Sequence, residues 1–498
     1  AQVSRVLGDA DFLVNGTVTH SDGFRQHARQ QAEQFNANVG WRLGPNAETR
    51  FYFGAYIVDQ QLPGTLSLSE ALNNPRKAAP TALSGDQARN SRTERIANVT
   101  SFRLEVGQLD IASWAIHKNL YHPIFQVIDQ GGWTYGVAPR YTADFEIGGF
   151  RDQVIAGARF IGGNNTALQF VNIGGARGAK TVDSAQNAYN YEAYAENRFF
   201  FLPTVALMTG AKFLHDERVF EDNGGTPGHS ALIASRNYDG INPKLGLLWV
   251  PRPDIQVFAD VTRSLDVPDF TDLVQSSFST TRFVPLQAQR AWTAEVGTRG
   301  RYDRFAWNIT LFRSLVRDEL MQFTLAPGIP ANTFNAPRTL HQGIEFGGSV
   351  ELLRGLFAAD DTIKLTQVWN YSDFRFENDP VFGNNRLAAI PQHVLRTVIH
   401  YAHPSGFYFA PTLDWVPRGP WADYANTLRV PAYALLGLQT GVQFSNGLLL
   451  FAEARNLTDK RHVSDLSTIA NAAAPGANTA IFYPGDGRSV YAGARYAF

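Results

Sequence analysis

The segment Ser489-Val490-Tyr491-Ala492-Gly493-Ala494-Arg495-Tyr496-Ala497-Phe498 decides how the chain is read. Taken at every second position, one face is Val490, Ala492, Ala494, Tyr496 and Phe498. The other is Ser489, Tyr491, Gly493, Arg495 and Ala497. Successive side chains of a strand point to opposite sides. One side is therefore apolar with aromatics at its end, and the other is mostly small or charged. A membrane-barrel strand, with lipid outside and water inside, has this alternation.

Working outward, the same period returns. Ala434, Leu436, Leu438, Thr440, Val442 and Phe444 alternate with Tyr433, Leu435, Gly437, Gln439, Gly441 and Gln443. Near the other end, Phe12, Val14, Gly16 and Val18 alternate with Leu13, Asn15, Thr17 and Thr19. Helical spacing is sustained nowhere. Short Gly-, Pro-, Asn- or Asp-bearing connections, such as Gly44-Pro45-Asn46, Tyr302-Asp303 and Ser445-Asn446-Gly447, read as tight turns. Long connections fall near 61–89, 164–184, 217–240, 266–287, 376–389, 417–431 and 458–487. Short turns at one rim and long loops at the other predict a large antiparallel transmembrane β-barrel of about 20–21 strands in one domain, 1–498.

Composition narrows the function classes. The 498 residues include no cysteine, which removes disulfides, thiolate metal sites and cysteine nucleophiles. Lys+Arg is 44 against Asp+Glu 45, so no basic excess points to nucleic acid. A local basic patch stays open. Only seven of those basic residues are lysine; arginine's planar fork suits carboxylates and phosphates, although a GC-rich genome gives the same bias and is the plainer reading. The longest uncharged apolar stretch, between Arg198 and Lys212, is 13 residues and holds Pro203, short of the roughly 20 that a spanning helix needs. A membrane location therefore requires strands.

The C-terminal region is more specific. Asn456-Leu457-Thr458-Asp459-Lys460-Arg461 follows a strand, and Tyr483-Pro484-Gly485-Asp486-Gly487-Arg488-Ser489 precedes the last one. With the terminal aromatic, this resembles the signature of TonB-dependent outer-membrane transporters. Ile241-Asn242-Pro243-Lys244-Leu245-Gly246-Leu247, Ala294-Glu295-Val296-Gly297-Thr298-Arg299 and His341-Gln342-Gly343-Ile344-Glu345-Phe346 resemble internal strands of that family, in order. Within it the chain is similar to ferric-siderophore and ferric-citrate receptors.

The resemblance implies a bacterial outer-membrane receptor that takes up a ferric chelate. It implies a plug domain, a TonB box and the inner-membrane TonB complex as partners, with outer-membrane lipid and lipopolysaccharide around the wall. It implies no cofactor and no enzymatic activity. The family barrel has about 22 strands. Here strand 11–20 is expected to be the family's third and residues before Gly8-Asp9 its second. The plug and first strand are then expected from a separate chain or an upstream segment. The alternatives are a plugless passive pore, a surface assembly partner, or a soluble β-propeller or sandwich enzyme.

Candidate substrate contacts are Arg140, Arg177 and Arg282, for an anionic chelate, and Tyr121, Trp133 and Tyr238, for packing its rings. Each has a plainer alternative: a solvated or paired arginine, or an aromatic of the interfacial girdle. Phe498, with Tyr496, is a girdle aromatic and, through the resemblance, the signal for barrel assembly. Glu295, Glu345 and Arg299 are expected to hold the plug or the wall. No H-E-x-x-H or G-x-S-x-G occurs. Gly174-Gly175-Ala176-Arg177-Gly178-Ala179-Lys180-Thr181 superficially resembles a phosphate loop, but its lysine follows no glycine. His393, His400 and His403 have strand-and-turn spacing, not that of a helical metal site.

Overall fold

The computed structural model describes residues 1–276, 281–325 and 331–497. They form one antiparallel sheet of 21 strands, in which each strand pairs with the next along the chain. It runs from Gln2–Leu7 to Ser489–Tyr496. Two small hairpins lie outside it, Val274–Ser276 with Thr281–Phe283 and Val463–Leu466 with Phe482–Pro484.

The register carries the alternation around the wall. Val490, Ala492, Ala494 and Tyr496 face the same side as Ala454, Ala452, Leu450 and Leu448 opposite them, and Tyr491 stands opposite Glu453. Elsewhere the apolar side holds Leu245, Leu247, Trp249, Val261 and Leu311, all well exposed on the isolated chain. Such a continuous greasy exterior is stable only against hydrocarbon. Aromatics edge it. Phe305 and Trp307 stack at 5.3 Å near the short-turn rim. Tyr135, Phe160 and Tyr191 form a row at 6.2 and 5.0 Å near the other.

The short-turn rim is built from left-handed backbone. Gly8 (φ 62°), Gly107 (φ 81°), Asp303 (φ 50°), Gly406 (φ 87°) and Gly447 (φ 88°) make its turns. Glycine and aspartate tolerate that region best.

Two segments expected as loops are mostly strand. Residues 164–184 complete a hairpin between Phe150–Ile173 and Ala176–Leu202, strands of 24 and 27 residues. Residues 217–240 are largely strand, ending at Asp222 and resuming at Leu232. These strands rise beyond the apolar belt, where both faces meet polar surroundings. Alternation fades there while the hydrogen-bonded ladder continues. The phosphate-loop look-alike is the turn of the first hairpin. Gly174 and Gly175, both at positive φ, join two strands and no helix follows.

Among the described residues, Gln2–Leu7 and Ser489–Tyr496 each pair on one side only. Both run towards the short-turn rim.

Candidate functional site: a charge-lined lumen under a loop cap

At the height of the apolar belt most of the wall's charges stand on the inner face, largely as matched pairs. Arg50 meets Asp11 at 2.7 Å. Glu192 takes both Arg159 (2.7 Å) and Lys212 (3.4 Å), and Glu196 takes Lys244 (3.1 Å). Further round, Arg396 meets Asp414 at 3.4 Å and Arg455 meets Glu453 at 2.7 Å. These last two pairs line a cavity of about 660 Å³ with Gln439 and Tyr491. Charges on a barrel wall are tolerated facing the lumen, where water or another protein segment solvates them.

Above the lumen the long loops pack into a cap with cores of its own. Leu66, Ala71 and Ala82 of the 61–89 loop join Val430 and then Ile481 and Phe482 from two further loops. Met321, Ala336, Phe376, Leu387 and Tyr424 make a second core. Polar locks hold the pieces in register. The Asp423 carboxylate, fully buried, accepts from the Thr427 amide (2.9 Å) and hydroxyl (2.6 Å) and the Leu428 and Ala472 amides (both 3.0 Å). Arg25 is buried and, among the described residues, meets no carboxylate. Its guanidinium donates to the carbonyls of Gly64 (2.7 Å), Lys77 (2.9 Å) and Pro63 (3.3 Å). Burial holds the Arg25 pKa below the usual guanidinium value.

The C-terminal motifs prove to be another lock. Asn456, at φ 47°, donates to the carbonyls of Lys460 and Asp486 (both 3.0 Å) and accepts from the Lys460 amide (2.8 Å). The Asp459 carboxylate accepts from the Arg488 amide at 2.9 Å. Gly485 lies against the His462 ring, where a Cβ has no room. Both motifs thus pin the start and end of the 458–487 loop to the rim.

A cleft of about 470 Å³ opens in the cap, lined by Thr65, Gln87, His122, Thr324, Ser467 and Tyr483 among others. His122 Nδ1 lies 2.6 Å from the Ala88 carbonyl oxygen, and burial pushes its pKa down. None of these residues stands out in the sequence. They come from loops far apart in the chain, so only topology unites them.

The sequence candidates are scattered. Tyr121 and Arg177 do come together. The Arg177 guanidinium lies 5.2 Å from the Tyr121 ring and 5.6 Å from the Phe170 ring, and is paired with Asp129. Tyr121 donates to the Gly175 carbonyl at 2.6 Å. Trp133 lies on the outward side of the wall, tilted against His117 at 4.7 Å and half exposed. Arg140 stands on the inner wall opposite Asp110 in the register. Tyr238 is buried beside Leu214 and Leu265 and donates to the Leu286 carbonyl at 3.0 Å. Arg282 is exposed in the small hairpin opposite Gln275. Tyr496 faces outward, and Phe498 lies outside the described residues. On the inner wall, Glu295 pairs in register with Asp260 and Glu345 with Thr310, while Arg299 donates to Gln256 at 2.8 Å. His393 stacks on Trp369 and His400 on Tyr408. No group of three metal-ligating side chains occurs among the described residues.

A wall greasy outside and charged inside, with turns at one rim and a packed loop cap at the other, defines a large outer-membrane β-barrel receptor. The comparisons agree. The family model described as TonB dependent receptor-like, beta-barrel, matches residues 4–457. The chain belongs to the TonB-dependent receptor family and is an outer-membrane protein. A ferrioxamine B receptor of Salmonella typhimurium (strain SL1344) is 27% identical over 126 residues, a match spanning 24% of this chain and 18% of that receptor. The unliganded ferric citrate transporter FecA superposes with a TM-score of 0.82 at 15% identity, covering 99% of this chain and 74% of that one. The ferric yersiniabactin uptake receptor FyuA from Yersinia pestis gives a TM-score of 0.78 at 15% identity, covering 100% of this chain and 77% of that one.

Proposed function

We propose that this barrel is the translocation domain of a TonB-dependent importer for a ferric siderophore or similar iron chelate. The cap with its 470 Å³ cleft supports this reading most directly, because it offers a polar, partly enclosed vestibule over a charged lumen. The chelate enters the vestibule, a plug domain fills the lumen, and the inner-membrane TonB complex pulls the plug to release the cargo inward. The import cycle rests on differential affinity between two plug states, and the barrel does no covalent chemistry. The curated relative named above is a ferrioxamine B receptor, and the solved ones are a ferric citrate transporter and a ferric yersiniabactin uptake receptor.

The proposal includes a further strand between Gln2–Leu7 and Ser489–Tyr496. These two edges run in the same direction, so direct closure would make a parallel pair in an antiparallel sheet. One intervening strand closes the cylinder antiparallel and gives the even number usual in bacterial barrels. The plug-bearing part of the receptor supplies it.

Quenching of tryptophan fluorescence in the native receptor, purified in detergent, tests the substrate class. Saturable binding of ferric citrate or ferrioxamine B, lost with the iron-free chelator, is expected. Failure of every iron chelate tried sinks the reading. Planar-bilayer conductance separates it from a passive pore, since a plugged receptor stays nearly silent and an open barrel of this width conducts strongly.

A further inference from the structure

Just above the upper edge of the apolar belt, one sector of the outer wall is crowded with arginine. Arg290 stands directly opposite Arg317, and Arg317 directly opposite Arg338, on three neighbouring strands. Arg263 stands opposite Trp292, which in turn faces Leu315. These residues line one cleft of about 340 Å³, with Glu377. The strand geometry fixes the height. From Phe305 to Leu315 is ten residues, which at about 3.3 Å each and a tilt near 40° spans about 25 Å, the height of a barrel's apolar band. Arg317 therefore stands one step above hydrocarbon, at the depth of lipid head groups. Trp292 and Leu315, both well exposed, form the greasy floor beneath.

Charge balance in this sector is poor. Arg338 reaches Glu377 at 3.3 Å, and Arg263 donates to the Ile241 carbonyl at 3.2 Å. Arg290 and Arg317 form no ion pair among the described residues, and both are exposed. Like charges directly opposite across strands are destabilising. The chain as a whole is not basic, with 44 cations against 45 anions, so the sector is a local concentration. All four cations are arginine, whose planar fork binds phosphate through two parallel hydrogen bonds.

We propose that Arg263, Arg290, Arg317 and Arg338 form a binding site for the phosphate groups of an outer-leaflet glycolipid, lipopolysaccharide, whose acyl chains lie along Trp292 and Leu315. The phosphates supply the counter-charge that the protein does not.

The test compares the wild-type receptor with the triple variant R290Q/R317Q/R338Q and with R92Q, an outer-face arginine that is paired with Glu94. Each is purified in a neutral detergent, and retained lipopolysaccharide is counted by native mass spectrometry. Heat-modifiable migration on a gel verifies that the barrels are folded. The triple variant is expected to retain at least tenfold less lipid, and R92Q the wild-type amount. Lipopolysaccharide stripped of its phosphates should rebind the wild type as weakly as intact lipid rebinds the triple variant. Wild-type retention by a folded triple variant overturns the proposal, as does equal binding of the dephosphorylated lipid. Saturation by inorganic pyrophosphate with no competition from the lipid also overturns it, by assigning the site to a soluble anion. Chelate binding is read separately, so neither result depends on the substrate proposed above.

Discussion

The inner wall and the outer rim handle the same residue type in opposite ways. On the inner wall Arg50, Arg159, Arg396 and Arg455 each meet a carboxylate of that same wall. On the rim, the row Arg290, Arg317 and Arg338 has Glu377 as its only carboxylate among the described residues. The difference teaches where each surface finds its counter-charge. A wall that must stand before any cargo arrives satisfies its charges from its own sequence. A surface immersed in an anionic leaflet can leave them to the lipid.

The largest effect is expected from breaking the internal balance. Glu192 serves two cations, so Glu192→Lys places three together on one stretch of wall. The barrel should lose about 2–4 kcal/mol, somewhat less than a fully buried orphan charge costs because the lumen is wet. Urea unfolding in detergent measures it. Retained lipopolysaccharide should not change, and if it falls with stability the two surfaces are not independent.

The cap offers a third solution, a buried cation held by carbonyl dipoles. Arg25→Ala removes donors to three loop carbonyls and should free the 61–89 loop at a local cost of about 1.5–3 kcal/mol. Hydrogen exchange should rise across 61–89 while the wall strands stay protected. Uniform loss of protection would mean that cap and wall unfold together.

Salt sharpens the contrast more gently. The screening length shrinks from about 10 Å at 0.1 M to about 3 Å at 1 M. Lipopolysaccharide retention at the exposed rim should weaken several-fold over that range. The unfolding midpoint, resting on hydrogen-bonded pairs and on the sheet ladder, should move little.

Much of the wall is legible in the sequence because lipid outside and water inside impose a period of two, as at Ser489–Tyr496. The Asn456 and Gly485 motifs are legible as landmarks, and the structure gives their reason: they tie a loop to the rim. What lies above the belt is not. There the hairpin at 164–184 has polar residues on both faces and reads as a loop. Trp133 suggests a binding aromatic until the register puts it outside, beside His117. The arginine row stays hidden because whole hairpins separate its members along the chain, and only the pairing lines them up. His122 and the cleft around it arise from loops that meet only in the folded cap.

The smallest effect concerns that histidine. His122 closes the base of the 61–89 loop through Ala88, and burial, with a smaller contribution from Arg89, holds its pKa below the ordinary 6.5. His462, against Tyr433 at 4.8 Å, is shifted the same way by burial. With the loop open, each ring regains its ordinary pKa, so the open state binds more protons once the pH drops below about 6.5. Stability of the closed cap is therefore full above that value. It declines as pH falls and levels off below the depressed pKa of the closed state. Hydrogen exchange near Ala88, corrected for intrinsic rates, should quicken between pH 7.5 and 5.5. In His122→Gln, which keeps a donor for the Ala88 carbonyl but cannot titrate, most of that change should vanish near Ala88 and persist near Lys460. Lipid retention at the rim should not follow the cap over this range. A parallel drop in both would mean that the cap, and not the arginine row, governs the outer surface.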